Sequence, residues 1–247
     1  MINRARQVLK EYYGYDSFRE KQEEIITSIL EGKDVITIMP TGGGKSICYQ
    51  IPALILEGIT IVISPLISLM KDQVDNIKNI GIKSAYINST LSDSEINSIL
   101  NDVIKDEVKI LYVAPERLES TEFLNFITRV KIAQIAIDEA HCISQWGHDF
   151  RSSYRRISKF IDLLVERPII TAFTATATEE VRRDIISLLR LNAPKIFITG
   201  FDRKNLKITI EKAVIKKQYI LNYISSSKGV SGIVYCATRK DVDMIYE

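Results

Sequence analysis

The chain has 247 residues, of which 46% are hydrophobic and 26% are charged. This composition is typical of a globular protein with one large domain, or with one domain and part of another. The formal net charge is only +2, which excludes a polycation. Binding of nucleic acid would therefore have to come from a local group of residues.

Cysteine usage and hydropathy exclude further classes of protein. The three cysteines, Cys48, Cys142 and Cys236, are far apart and have no paired spacing, so we expect neither a disulfide framework nor a zinc site. No apolar stretch approaches the roughly 18 residues that a membrane-spanning helix needs, and the first residues lack the apolar segment of a secretory signal. The sequence therefore predicts a cytoplasmic protein with no membrane partner.

Short β-branched runs alternate with helical stretches as far as Gly200. This alternation predicts an α/β fold with a mainly parallel sheet flanked by helices on both faces. Several runs are almost continuously apolar, as strands buried on both faces are. The predicted strands are Val35–Met39, Thr60–Ser64, Ser84–Ile87, Lys109–Ala114, Ile132–Asp138, Ile169–Thr174 and Lys195–Thr199. The predicted helices are Ser46–Leu56, Leu66–Ile80, Ser92–Asn101, Ser152–Glu166 and Glu179–Leu189.

Two helix starts carry the pattern of a capping box, in which a serine is followed three residues later by a glutamate. One pair is Ser92 with Glu95, and the other is Ser17 with Glu20, which precedes the apolar residues around Ile25. We therefore expect a helix to begin just after each serine.

The pattern changes after Gly200. Asp202–Asn205 is polar and is typical of a linker. The residues beyond it predict a strand, a helix, a second strand and the start of a helix: Leu206–Ala213, Lys216–Ser226, Gly232–Cys236 and Thr238–Glu247. We expect one domain over residues 1–202, and a linker with the start of a second domain over residues 203–247.

A glycine-rich turn between a predicted strand and a predicted helix is the strongest single motif. After Met39 the chain reads Pro-Thr-Gly-Gly-Gly-Lys-Ser, so that Thr41–Gly44 form a loop whose backbone N–H groups can approach phosphate oxygens. Lys45 would contact the β- and γ-phosphates, and the Ser46 hydroxyl would ligate Mg²⁺. Met39 stands where the strict pattern has glycine, so a flexible loop that arose by chance is the alternative.

Two adjacent carboxylates, Asp138 and Glu139, follow the predicted strand that begins at Ile132. The carboxyl ends of parallel strands are where ligands bind in open α/β sheets. We expect Asp138 to hold Mg²⁺, and Glu139 to orient and deprotonate the attacking water. Lys45 and the nearby His141 complete the predicted catalytic residues. The alternative for the carboxylate pair is a charged surface turn, and for His141 a histidine that is simply buried.

These segments resemble the superfamily 2 helicases, with Met39–Ser46 similar to their first motif and Asp138–His141 similar to their second. The longer segment Asp138–Arg151 resembles the RecQ DNA helicases in particular, as does Cys48-Tyr49-Gln50. The resemblance covers nearly the whole chain. It implies a RecA-like P-loop NTPase domain followed by the beginning of a second RecA-like domain, with ATP and Mg²⁺ as cofactors.

The segment Phe18–Gln22 resembles the family motif that recognises adenine. A carboxamide such as that of Gln22 can both donate to and accept from adenine, Tyr15 could stack on the base, and Arg19 could add a planar contact. The alternative is that Tyr15, Phe18 and Gln22 only cap and pack a helix.

Two other segments resemble family motifs that contact DNA or couple hydrolysis to unwinding. In the first, which spans Ser64–Gln73, Ser64 and Lys71 would contact the DNA backbone, and the alternative is an ordinary helix start whose apolar residues pack inward. In the second, Thr174 and Thr176 could relay hydrogen bonds from the Asp138 region, although threonine is also simply common in strands.

An aromatic-rich loop follows the carboxylates directly. Its candidate DNA-contacting residues are Gln145, Trp146, His148, Phe150 and Arg151. Bases stack on aromatic side chains, and arginine binds phosphate. The resemblance implies that this loop couples DNA contact to hydrolysis. The alternative, that Trp146 and Phe150 are core residues, conflicts with the glycine and charged residues around them.

The resemblance implies a monomeric helicase that moves 3′ to 5′, unwinds DNA in recombination and repair, and binds single strands and duplex junctions. Gly232–Asp243 resembles the first motif of the second motor domain, and no arginine finger can be assigned within the chain. We therefore expect this chain to bind nucleotide but to have little ATPase and no unwinding activity. The alternatives are an RNA-unwinding relative and a nucleotide-dependent binding module without catalysis.

Overall fold

A computed structural model of the chain describes residues 1–200, 206–212, 215–227 and 229–246. The chain divides into two compact units, Met1–Phe201 and Asp202–Glu247, and each unit is described by itself. The linker predicted at Asp202–Asn205 lies outside the described residues. No helix of the described residues is both long enough and apolar enough to cross a membrane.

The first unit contains one parallel sheet of seven strands. The strands are β1 Val35–Ile38, β2 Ile59–Ile63, β3 Ser84–Ile87, β4 Ile110–Val113, β5 Ile132–Ile137, β6 Ile169–Thr174 and β7 Lys195–Ile198. They pair in the order β3-β4-β2-β5-β6-β1-β7, and every pairing is parallel. The predicted fold class is confirmed, and each of the seven predicted strands forms.

Helices cover both faces of this sheet. They are α1 Ile2–Tyr13, α2 Gln22–Leu30, α3 Lys45–Ile55, α4 Ile67–Asn79, α5 Asp93–Ile104, α6 Thr121–Ile127, α7 Arg155–Asp162 and α8 Glu179–Leu188. Short 3₁₀ turns lie at Pro115–Arg117, Ala140–Ile143 and Ser152–Tyr154. The single helix predicted over Ser152–Glu166 is therefore a 3₁₀ turn followed by the shorter α7.

The apolar runs of the strands alternate between two cores. On β2, Ile61 and Ile63 belong to the cluster that packs against α5 to α8, whereas Val62 belongs to the cluster that packs against α2, α3 and α4. Successive side chains of a strand point to opposite faces, so a strand with helices on both sides must be apolar at nearly every position.

One predicted cap forms and the other does not. Ser92 and Glu95 make both hydrogen bonds of a capping box at the start of α5. The cap predicted at Ser17 is wrong, because α2 begins later, at Gln22, after Lys21 in the left-handed region at φ 65°. The Gln22 carboxamide oxygen accepts the backbone N–H of Arg19 at 2.8 Å, so it closes the turn before the helix.

In the second unit, the described residues contain α9 Lys216–Ser226 and α10 Arg239–Tyr246. The strands predicted over Leu206–Ala213 and Gly232–Cys236 are wrong for residues 206–212 and 232–236, which pair in no ladder, while Ala213 lies outside the described residues. Alternating apolar residues make a strand only when a neighbouring strand takes up the backbone hydrogen bonds. Ile208 is 87% exposed, so the apolar side of this run is not buried.

Candidate functional site

The predicted site residues of the first unit gather at the carboxyl edge of the sheet. The glycine-rich loop follows β1, Ser64 follows β2, Asp138 follows β5, and Thr174 ends β6. Because β2, β5, β6 and β1 are neighbours in the sheet, these four positions lie side by side. Parallel topology alone therefore assembles residues that are far apart in the sequence.

The glycine-rich loop is folded tightly between β1 and α3. The Gly43 N–H donates to the Pro40 carbonyl at 3.0 Å, and Gly44 precedes the helix at φ 89°, in the left-handed region. This φ favours glycine, and a Cβ on Gly44 would also displace the Gln22 side-chain amide. The helix that begins at Lys45 directs its free N–H groups towards the loop, a geometry that suits phosphate.

Lys45 lies close to both predicted catalytic carboxylates. Its ammonium group donates to the Met39 carbonyl at 3.1 Å, which holds the side chain across its own loop. Its charge also lowers the pKa values of Asp138 and Glu139, although other groups have larger effects on both. The lysine of the glycine-rich loop and the two carboxylates therefore influence one another electrostatically.

The residues predicted to recognise adenine contact the glycine-rich loop directly. The Gln22 side-chain amide donates to the Gly43 and Gly44 carbonyls at 3.4 and 3.2 Å, and Arg19 Nη1 donates to the Gly42 carbonyl at 2.9 Å. Gln22 is 2% exposed. A contact between the Gln22 amide and a base would therefore have to replace hydrogen bonds that the loop already makes.

Tyr15 and Phe18 differ in their surroundings. Phe18 packs against the apolar cluster formed by α1, α2 and α3, as the alternative interpretation of this segment expects. Tyr15 is 48% exposed, so its ring is open to stacking. Of the two aromatic residues, Tyr15 is the better candidate for contact with a base.

Asp138 is placed by the end of β5. Its backbone N–H donates to the Ile63 carbonyl at 2.8 Å, and its carboxylate accepts the Glu139 N–H at 3.0 Å. Burial, and then the neighbouring charge of Glu139, raise the pKa of Asp138 to about 6. The buried carboxylate is therefore poorly compensated by the protein's own donors.

Ser46 and Asp138 offer the hydroxyl and carboxylate oxygens that Mg²⁺ prefers. Both lie near the buried phenol of Tyr49, whose pKa is raised well above its ordinary value first by burial and also by Asp138, while a hydrogen bond with Ser46 opposes the rise. A carboxylate with a raised pKa beside a hydroxyl fits a divalent cation, because the cation would supply the missing positive charge.

Glu139, His141 and Thr174 form a short polar chain across the ends of β5 and β6. Glu139 adopts a left-handed conformation at φ 46°, and its carboxylate lies 3.3 Å from His141 Nδ1. The same nitrogen lies 2.8 Å from the Thr174 hydroxyl. The hydrogen bond from His141 is the largest cause that holds the pKa of Glu139 below its ordinary value, so this carboxylate stays ionised, as a general base must.

The aromatic-rich loop begins just after the polar residues Glu139 and His141. Trp146 is 77% exposed, and the Phe150 ring lies 5.4 Å from the Arg155 guanidinium carbon. The His148 ring stacks on His141 with centroids 4.1 Å apart. His141 therefore contacts both Glu139 and the loop. Gln145 is also exposed.

Arg151 connects the end of the aromatic loop to the segment after β2. Its Nη1 donates to the Pro65 carbonyl at 2.8 Å, and its Nε donates to Asp149 at 3.2 Å. Ser64, which precedes Pro65, is 2% exposed, whereas Lys71 is exposed on α4. Of the two residues predicted to contact the DNA backbone, only Lys71 is open to solvent in this conformation.

Thr174 is fully buried and Thr176 is exposed. The Thr174 hydroxyl donates to the Thr176 carbonyl at 3.0 Å while it also contacts His141. A cleft of about 320 Å³ lies between Thr41 of the glycine-rich loop, Glu139 and the aromatic-rich loop. Its walls are Thr41, Pro65, Leu66, Glu139, His141, His148, Asp149, Ala175 and Thr176.

A buried polar network near the site was not predicted from the sequence. The Tyr49 and Tyr112 hydroxyls lie 3.2 Å apart, the Gln50 amide donates to Tyr112 at 3.1 Å, and the Tyr13 hydroxyl donates to Gln50 at 2.8 Å. The available signal was Tyr112 inside an otherwise apolar strand, because a buried hydroxyl needs a hydrogen-bond partner.

Fold and site together define a nucleotide-binding α/β domain that carries an Asp-Glu-Ala-His box. The family described as DEAD/DEAH box helicase matches residues 19–184, and the chain belongs to this family. It is 51% identical to the ATP-dependent DNA helicase RecQ of Bacillus subtilis over 100% of this chain and 42% of that protein. The resemblance to RecQ helicases that the motifs indicate is confirmed.

A second relative, the ATP-dependent DNA helicase RecQ of Pasteurella multocida, is 46% identical over 98% of this chain and 38% of its own length. The chain thus spans 42% and 38% of the lengths of these two relatives. A crystal structure of the DUF1998 helicase MrfA is 20% identical, with a TM-score of 0.73 over 98% of this chain and 39% of that one. This last likeness concerns the fold alone.

Proposed function

We propose that this chain is the nucleotide-binding motor part of an ATP-dependent DNA helicase of RecQ type. The observation that carries the proposal is the double contact of His141. One ring nitrogen lies 3.3 Å from the Glu139 carboxylate, and the ring stacks on His148 of the aromatic-rich loop. A group that touches both the hydrolysis site and a DNA-binding loop gives DNA a direct path to the chemistry.

In the proposed nucleotide site, Thr41–Ser46 bind the phosphates, with Lys45 on the β- and γ-phosphates. Ser46 and Asp138 would hold Mg²⁺, whose charge would offset the negative charge on the phosphoryl oxygens. Glu139 accepts the proton of the attacking water, and His141 keeps the Glu139 carboxylate ionised and oriented. Tyr15, Arg19 and Gln22 contact the adenine. To do so, the Gln22 amide exchanges its hydrogen bonds to the glycine-rich loop for hydrogen bonds to the base.

In the proposed DNA site, Trp146 and Phe150 stack on bases of a single strand, with His148 and Gln145 beside them. Arg151 and Lys71 contact phosphates, and Ser64 joins them if its segment opens. The exposure of Trp146 supports this role, because base stacking on an aromatic side chain is worth about 1–3 kcal/mol. Thr174 and Thr176 transmit the effect of DNA binding to His141 through their hydrogen bonds.

Further parts of the proposal rest on the likeness to RecQ helicases. They are translocation from 3′ to 5′, a role in recombination and repair, binding to duplex junctions, and a domain boundary near residue 202. Since the relatives are more than twice as long as the part matched here, we propose that unwinding needs residues outside these 247. Unwinding assays on duplexes with a 3′ or a 5′ overhang test the direction.

Exchange of Glu139 for Gln tests the proposal in a protein that has the full length of the RecQ relatives. We expect the DNA-stimulated ATPase rate to fall about 10²- to 10⁴-fold, the range for loss of a general base, with DNA affinity retained. Glu122→Gln, at an exposed glutamate of α6, is the matched control and should leave the rate unchanged. An unchanged rate for Glu139→Gln would show that Glu139 is not the base.

The choice of DNA over RNA needs its own experiment. Titration of the 247-residue chain with single-stranded DNA and RNA of matched sequence, followed by the fluorescence of Trp146, compares the two ligands directly. We expect tighter binding to DNA. Equal or tighter binding to RNA would favour the RNA-unwinding alternative.

A further inference from the structure

An acidic residue outside the family motifs contacts the base of the aromatic-rich loop. Asp184 lies in α8, and its carboxylate accepts the hydroxyl of Ser144 at 2.5 Å. Ser144 ends the short turn that follows Glu139, and it is fully buried. Residues 144 and 184 are thus joined by one charge-assisted hydrogen bond, which is stronger than a bond between neutral groups.

This bond fixes the direction of the Ser144 hydroxyl. A serine hydroxyl has one proton to donate and lone pairs to accept with. Because the hydroxyl proton of Ser144 is donated to Asp184, a lone pair of the same oxygen is free to accept. The backbone N–H of Trp146 donates to this Oγ at 3.1 Å. The Ser144 carbonyl also accepts the Gly147 N–H at 3.1 Å. Ser144 therefore holds the first turn of the aromatic-rich loop from two sides.

The turn at Gly147 leaves little freedom for another arrangement. A Cβ at this position would lie 2.3 Å from the His141 carbonyl oxygen, so the loop backbone passes directly over the box. The end of β6 and the helix α8 that follows it each contact the region of the box. Thr174 touches His141 at 2.8 Å, and Asp184 touches Ser144.

We propose that Asp184 is a positioning residue that holds the aromatic-rich loop, through Ser144, in the conformation that couples DNA contact to ATP hydrolysis. The coupling part of this inference rests on the proposed function. Asp184 is not among the residues that the proposed function assigns to the nucleotide or to DNA, so its role is to position other residues. It acts by limiting the motion of a loop whose tip, at Trp146, is 77% exposed.

The sole tryptophan of the chain makes the loop directly observable, because it is Trp146 itself. Steady-state fluorescence anisotropy of the DNA-free 247-residue chain reports the motion of its indole ring. We expect Asp184→Ala to lower this anisotropy, and Asp184→Asn, which keeps an oxygen acceptor, to stay near the wild-type value. Ser144→Ala removes the same bond from the other side and should resemble Asp184→Ala, with no further loss in the double variant.

Asp162→Ala is the matched control. Asp162 lies in α7 and accepts a hydrogen bond from Arg190 at 2.6 Å, so its removal also costs a charged bond but at a distance from the loop. We expect this variant to leave the anisotropy unchanged. Equal losses in the Asp162 and Asp184 variants would mean general loosening of the domain and would overturn the inference.

The coupling role is measured in the full-length protein as the ratio of DNA-stimulated to basal ATPase rates. We expect this ratio to fall about tenfold in Asp184→Ala, the size of effect that losing one hydrogen bond to a charged group produces, with the basal rate unchanged. Asp184→Asn should recover most of the ratio. Unchanged anisotropy and an unchanged ratio in Asp184→Ala would each contradict the inference.

Failure of the proposed function can be told apart from failure of this inference. A wild-type protein whose ATPase does not respond to DNA would overturn the proposed function and the coupling role with it. A wild-type protein that responds, beside an Asp184→Ala variant that responds equally, would overturn the inference alone. The anisotropy of the DNA-free chain tests the positioning of the loop in either case.

Discussion

Two aspartates at opposite edges of the same sheet have very different surroundings. Asp34 precedes β1 at the amino edge and is 3% exposed. Both of its oxygens are engaged: they accept from the Arg167 guanidinium, from the Ile170 N–H at 2.9 Å and from the Asn192 N–H at 2.7 Å. Asp138 follows β5 at the carboxyl edge, and its carboxylate accepts one backbone N–H, that of Glu139.

The difference separates a carboxylate that holds the fold from one that we propose binds a cation. The donors around Asp34 come from two separate segments, so this side chain ties the start of β1 to residues 167–170 and 192. Asp138 has too few donors for its burial, which raises its pKa to about 6. A buried charge that the protein itself does not compensate is costly, and such sites are typically functional.

Removal of Asp34 should have the largest effect on stability. We expect Asp34→Ala to lower the free energy of unfolding by about 2–5 kcal/mol, because it leaves two backbone N–H groups without an acceptor and removes the partner of the half-exposed Arg167. Urea unfolding followed by circular dichroism measures this. Glu31→Ala, at a nearby exposed residue, is the control. A loss below about 1 kcal/mol would mean that Asp34 is not a structural anchor.

Replacement of Asp138 by Asn should act in the opposite direction. The folded-state pKa of about 6 lies above the unfolded value of about 3.9, so the folded state favours the protonated carboxyl, and wild-type stability is lost as the pH rises through 6. Asp138→Asn should therefore stabilise the nucleotide-free chain by about 1–3 kcal/mol at pH 8 and by almost nothing at pH 4.

Thermal or urea unfolding of the wild type and of Asp138→Asn across this pH range measures the difference in their free energies of unfolding. The same variant should lose Mg²⁺-dependent nucleotide binding. A variant that is less stable than the wild type at pH 8 would contradict the comparison with Asp34, because Asp138 would then be a stabilising carboxylate as well.

Truncation of Trp146 should have the smallest effect on stability. Trp146→Ala removes a side chain that is 77% exposed, so we expect a change below about 0.5 kcal/mol in unfolding. Affinity for single-stranded DNA should nevertheless fall about tenfold, since one stacking contact is lost. Leu163→Ala, at another exposed apolar residue, should leave both quantities unchanged. Equal DNA affinity of Trp146→Ala and wild type would remove Trp146 from the DNA site.

The fold could be predicted because its signals are local and mutually consistent. The strands around Ile36, Ile61 and Ile135 are apolar at nearly every position, and this pattern is typical of a sheet covered on both faces. The same reasoning failed at Ile208, where the alternation is present but no partner strand binds it among the described residues. A strand depends on its neighbours, so its own residues cannot decide whether it forms.

The candidate site could be located from the sequence, but its internal contacts could not. Strand ends predict that Lys45 and Asp138 lie at one edge. Nothing in the sequence indicates that Gln22 bonds to the glycine-rich loop or that Asp184, in an ordinary amphipathic helix, contacts Ser144. These contacts depend on how helices and loops pack, and that packing involves residues distant in the chain.

The measurement that tests the account most directly is Trp146 fluorescence during titration of the 247-residue chain with Mg²⁺ and a non-hydrolysable ATP analogue. Because His141 contacts both Glu139 and the aromatic-rich loop, we expect a saturable change in Trp146 emission at the analogue concentrations that calorimetry shows to bind. Lys45→Ala should abolish it. Normal analogue binding with no change at Trp146 would contradict the claim that the hydrolysis site and the DNA loop form one connected unit.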